Sequence, residues 1–147
     1  MMIKEQLYIN GKNAYTEYGI FMDDTAISAL MTPAPNKEFI SNKYRSKNGK
    51  HVIKHNPCLD ERDVTIGFNI HAKDEKTFLS NYYKFCKEVL STGELIIHTS
   101  FLPNVWYRCT YLSCTQFSQF NRQMAKFSLK LNEPDPSDRG ENSKYSV

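Results

Sequence analysis

RDVTIGFNIHA, residues 62–72, followed one residue later by DEKTFLSNYYKFCKEVLSTG, residues 74–93, is where the sequence commits to a fold. In the first stretch Val64, Ile66, Phe68 and Ile70 alternate with polar neighbours, which predicts a strand with one dry face. In the second the period changes. Phe78, Tyr82, Phe85 and Val89 recur at helical spacing, with Leu79, Cys86 and Leu90 widening the stripe. Asp74 stands where an N-cap is wanted, Glu75 suits the positive end of the helix dipole, and Gly93 suits a left-handed stop. A helix over 74–91 between strands follows.

Working outward, EQLYING (5–11) reads as a short strand running into an Asn-Gly turn, and Gly19 between Tyr18 and Ile20 marks a bend or close approach. After the helix, GELIIHTS (93–100) is a strand. VWYRCTYLSCTQF (105–117) is a longer one, apolar or aromatic on both faces and therefore expected to be covered on both sides over part of its length. AKFSLKLNE (125–133) alternates Ala125, Phe127, Leu129 and Leu131 with polar residues. The chain from residue 134 to 147 has prolines, polar residues and no periodicity, which predicts a flexible tail. One helix cannot cover both faces of a sheet. The expected architecture is α+β and mainly β: one domain over residues 1–133, an antiparallel split β-barrel or sandwich with one flanking helix.

Between Pro33-Ala34-Pro35 and the Val64 strand lies SNKYRSKNGKHVIKH (41–55), which holds five lysines and arginines and two histidines. Asn48-Gly49 accepts the backbone angles of a tight hairpin, so residues 38–54 read as a projecting two-stranded arm. Its cations are Lys43, Arg45, Lys47, Lys50 and Lys54, with Tyr44 among them. Asp60, Glu61 and Asp63 form an acidic strand entrance with Arg62. A cationic arm meeting that entrance on an identical copy would set the register of an assembly.

The composition limits the alternatives. A net charge of +3 over 147 residues is no footprint for a polyanion, so any basic site is local. No apolar run approaches the roughly 20 residues of a membrane span, and the chain reads as soluble and unexported, with its four cysteines reduced. No catalytic residue, cofactor site or metal site is assigned. His51, His55 and Cys58 have the spacing of a partial metal site, but Cys109 and Cys114, five apart on a strand, point to opposite faces and do not complete it. Asp60, Glu61 and Asp63 fit a charged strand entrance better than an acid/base pair, and there is no glycine-rich phosphate loop. The alternative from a different class is a small single-stranded nucleic-acid-binding module, using the arm cations with Trp106, Tyr107 and Arg108 as a stacking platform.

LYINGKNAYTEYGIFM, TPAPNKEFISNKYRSKNGK, DERDVTIGFNIHA, the helix, GELIIHTSFLPNVWYRCTYLSC and AKFSLKLNEPDP, in that order, resemble the N-terminal domain of the distal tail proteins of tailed phages. The resemblance covers Leu7 to about Pro136. It implies a ring-forming, hexameric virion subunit at the baseplate hub of a phage or prophage tail, assembled in the host cytoplasm and lacking catalytic residues. The arm would contact neighbouring subunits, other tail proteins would lie above and below, and DNA would be met only in passing through the lumen. Many members carry a second domain that has no counterpart here, and tail tube and tail terminator subunits share the barrel, so these are the alternative stations.

Overall fold

The computed structural model describes residues 4–37, 40–42, 51–53 and 58–141. The chain begins with β1 (Leu7–Ile9), the Asn10-Gly11 turn and β2 (Lys12–Asn13). Positive φ at both turn residues, 53° and 82°, is what a two-residue hairpin requires. Then come α1 (Ala14–Tyr18), β3 (Ile20–Met22) and α2 (Ala26–Met31). Next are β4 (Ile40–Asn42), β5 (His51–Ile53) and β6 (Arg62–His71). The order finishes with α3 (Glu75–Glu88), β7 (Glu94–Thr99), β8 (Leu102–Gln119) and β9 (Met124–Glu133).

Seven strands form one antiparallel sheet in the order β2-β1-β7-β8-β9-β6-β3, curled into a half-barrel. The mainly-β α+β class expected from the sequence is what the chain adopts. β6 and β9 set the core because their apolar faces match rung by rung: Val64 opposite Leu131, Ile66 opposite Leu129, Phe68 opposite Phe127 and Ile70 opposite Ala125. α3 lays Phe78 and Phe85 onto that face, followed by Val89 at its C-cap, with the Phe85 ring 5.9 Å from Phe127 and 5.5 Å from Tyr18. Its start is capped as the sequence predicts, the Asp74 carboxylate accepting from Thr77 N–H at 2.7 Å, which holds that carboxyl below its ordinary range. The turn after it stops at Gly93 with φ 78°. Leu79, counted in the apolar stripe, is exposed.

α1 and α2 add to the single helix read from the sequence. Each is too short to show a full apolar period. α1 is specified locally instead: the Asn13 side chain accepts from Tyr15 and Thr16 N–H, and Gly19 closes the helix in the left-handed region at φ 70°. Gly19 sits against β6, where a Cβ would come within 2.2 Å of the His71 carbonyl oxygen.

The most buried charged group among the described residues lies at one end of the β6–β9 pair. Glu133, fully buried, lies 3.0 Å from Arg62 Nε and accepts two 2.8 Å hydrogen bonds from Arg139. Arg62 also donates to the carbonyls of Leu30 and Thr32, closing the end of α2. Both guanidinium groups stand over the Tyr107 ring, and the hydrogen bond to Glu133 holds Arg139 above its ordinary range. Residues 134–141, read from the sequence as the start of a tail, return along β8, where Trp106 N–H donates to the Arg139 carbonyl at 2.8 Å.

Candidate assembly interface

β8 is shared between two partners. Its first half pairs with β7, from Leu102 opposite Thr99 to Thr110 opposite Glu94, and its second half pairs with β9, from Thr110 opposite Asn132 to Gln119 opposite Ala125. Residues 138–141 cover the outer edge of the first half, through the Trp106 amide and the Arg108 guanidinium. On the β7 side the last bond to the second half is Tyr111 N–H to the Gly93 carbonyl. Past it, among the described residues, no strand lies along the edge of residues 112–119.

Natural sheet edges are normally protected by charge or proline. This one has neither, since no charged residue or proline occurs between Arg108 and Arg122. Leu112, Phe117 and Phe120 along it are 48%, 44% and 59% exposed. The half-strand therefore offers a row of backbone donors and acceptors with an apolar margin, which is the chemistry of strand addition. The sequence reading expected cover on both faces over part of this strand. Full cover is found on one face only, at Tyr107 and Cys109; Trp106 and Arg108 on the other face are half-buried, and residues 112–117 are exposed.

Two register shifts shape the edge. Leu112 and Thr115 are extra residues opposite β9, so Tyr111, Cys114 and Phe117 stand opposite Leu131, Leu129 and Phe127 on the core side, while Ser113 and Gln116 stand opposite Lys130 and Ser128 on the other. This corrects the sequence reading of Cys109 and Cys114. Cys109 pairs with Leu95 on the same core face, because the extra residue at Leu112 restores the phase that an offset of five would break. They still lie two rungs apart, about 13 Å along the strand, too far to bind one ion. Burial pushes the Cys109 thiol up to about 12.

The second element without a sheet is the arm. β4 and β5 pair with each other, Ile40 with Ile53, Ser41 with Val52 and Asn42 with His51, and form a separate two-stranded sheet. The bridge of Asn36 with Leu59, Lys37 N–H to the Cys58 carbonyl and Asp60 N–H to the Pro35 carbonyl brace its root. Lys43, Tyr44, Arg45, Lys47, Lys50 and Lys54 lie outside the described residues, as does His55.

Asp60, Glu61 and Asp63 stand at that root. Asp63 accepts from the Asn132 side chain at 2.9 Å and Asp60 from Glu61 N–H at 2.8 Å; among the described residues none of the three makes an ion pair with a cation. Arg62 leaves the group by turning into the core. Trp106, Tyr107 and Arg108 do not make an open stacking platform. Tyr107 is buried, His98 stacks on Trp106 at 4.3 Å and 9°, and Arg108 is held by the Asp138 and Glu141 carbonyls. No group of three or more potential metal ligands occurs among the described residues.

No family model matches the sequence, and no curated protein matches it. Among solved structures the chain is similar to the SPP1 Dit (gp 19.1) protein, described as a paradigm of hub adsorption apparatus in phages that infect Gram-positive bacteria. The fold is similar to that of a phage tail hub protein. The TM-score is 0.62 at 13% identity, over 89% of this chain and 50% of that one, so the chain spans about half the length of the hub protein.

Proposed function

We propose that this chain is a structural, ring-forming subunit of a phage or prophage tail, placed at the distal ring that joins the tube to the tip. The observation that carries the reading is the unprotected edge of β8 in a fold shared with a tail hub protein. A monomer exposing such an edge invites uncontrolled strand pairing; a subunit that closes a ring uses it. The arm supplies the complementary part. A two-stranded ribbon is at best marginally stable alone in water, so β4–β5 gains most by docking on a sheet, and the free half of β8 on a neighbouring copy has no strand beside it among the described residues.

Such a contact joins different surfaces on the two copies, and repeated around an axis it closes a ring, which the resemblance to distal tail proteins makes six-membered. The arm cations Lys43, Arg45, Lys47, Lys50 and Lys54 then meet the acidic root of a neighbour at Asp60, Glu61 and Asp63, fixing register more than adding affinity. The subunit carries no catalytic role and no cofactor, and its partners are its own copies and the tail proteins above and below.

The test is solution mass as a function of concentration for the native protein and for Gln116→Lys, which puts a charge on the free edge away from the core face. The native protein is expected to form a closed oligomer and the variant to stay monomeric with unchanged unfolding in urea. An oligomer that survives the lysine refutes the β8 edge as its interface.

A further inference from the structure

The seam between α3 and the free half of β8 carries two thiols and two phenols that the assembly reading does not use. Tyr82 and Phe117 fix the alignment, with ring centroids 5.5 Å apart. From Tyr82, Cys86 is one helical turn further along α3, about 6 Å. From Phe117, Cys114 is one two-residue rung back along β8, because Cys114 faces Leu129 where Phe117 faces Phe127; that step is about 6.7 Å. Both steps run the same way, since α3 leads through Gly93 to Tyr111, whose N–H bonds the Gly93 carbonyl. Equal steps from a shared contact bring Cys86 alongside Cys114. Cys114 is exposed and Cys86 half-buried, and neither is in a disulfide.

We propose that Cys86 and Cys114 are a thiol pair that closes to a disulfide on exchange with a small-molecule disulfide such as oxidised glutathione, fastening α3 to the free half of β8. The phenols around the pair place both thiols in one cluster. Tyr82 is raised by burial first, then by its hydrogen bond to Cys86 and the charge of Cys114; Tyr111 is raised by burial and then by the charges of Cys114 and Cys86.

The exchange balances in two steps. The exposed Cys114 thiolate attacks a sulfur of the oxidised glutathione, breaking its S–S bond and releasing one glutathione thiolate. The Cys86 thiolate then attacks the Cys114 sulfur of the mixed disulfide and releases the second. The protein loses two protons and two electrons, and one glutathione disulfide becomes two thiols. Closure requires Cα atoms about 4.4–6.8 Å apart, closer than a helix ordinarily rests on a sheet, so it draws the last turns of α3 in onto β8. Cys58, also exposed but at the root of the arm, and Cys109, buried, serve as internal controls.

The experiment equilibrates the native protein in glutathione buffers of graded ratio, quenches with acid and alkylating agent, and maps the cysteine peptides by mass. The expected result is one internal Cys86–Cys114 disulfide that reopens in reduced glutathione. In Cys86→Ser, Cys114 should instead keep a glutathione adduct, the trapped first step. A native protein in which Cys114 stops at that adduct, pairs with Cys58 or with another copy, or stays alkylatable while Cys58 is modified overturns the pairing. The native map decides even where the serine variant does not fold.

Discussion

Replacing Glu133 by glutamine tests how the buried end of the sheet is held. The side chain is fully buried and serves two cations, Arg62 at 3.0 Å and Arg139 through two 2.8 Å hydrogen bonds. Glutamine keeps the volume and removes the charge, and Arg62, itself only 4% exposed, then has no anion among the described residues. Breaking a buried pair by removing one partner costs about 3–5 kcal/mol, because the remaining charge stays desolvated. Against a typical domain stability of about 5–15 kcal/mol that is a large fraction. With a urea slope near 2 kcal/mol/M the midpoint should fall by roughly 1.5–2.5 M. The double variant Arg62→Met with Glu133→Leu removes both buried charges and should lose far less, since Arg139 is free to turn to solvent. The assay is equilibrium urea unfolding followed by circular dichroism. A loss below about 1 kcal/mol for Glu133→Gln, or a double variant as unstable as the single, refutes the reasoning.

Gly19→Ala should destabilise by about 2–4 kcal/mol, since φ 70° disfavours a side chain and the new Cβ would meet the His71 carbonyl at 2.2 Å; thermal unfolding reads it, and a neutral substitution would contradict the close packing of α1 on β6. Stability should also fall at alkaline pH. Burial raises Tyr18 to about 12 and Cys109 to about 12, so the folded chain keeps protons that the unfolded chain releases, and stability present below about pH 9 is lost as pH rises towards 12. Urea midpoints between pH 8 and 12 check the sign. Charge reversal at Lys47 and Lys50 is expected to weaken self-association in a salt-dependent way, measured by sedimentation at low and high ionic strength; association indifferent to both would remove electrostatics from the account.

The sheet and its helix were legible because β6, β9 and α3 each carry a full period of apolar residues, and Asp74 and Gly93 mark the ends of the helical segment. α1 and α2 were not, being one to two turns long and defined by a cap and by carbonyls bound to Arg62 rather than by a stripe. Arg62 itself was read as part of the charged strand entrance, because nothing local says that a distant Glu133 waits for it inside. The faces of β8 were misread beyond Tyr111 for a related reason: alternation counted along one strand carries no sign of the two extra residues that β9 imposes. Its free edge did leave a signal, the run without charge or proline between Arg108 and Arg122. That signal acquires meaning only once β7 is seen to end opposite Thr110.

Amide hydrogen exchange at residues 112–119, followed as protein concentration is raised, bears most directly on the subunit reading. If copies join through this edge, these amides should slow as the chain associates, while those of the β6–β9 pair stay unchanged. Exchange at 112–119 that remains fast in an associated sample, or that never responds to concentration, would contradict it.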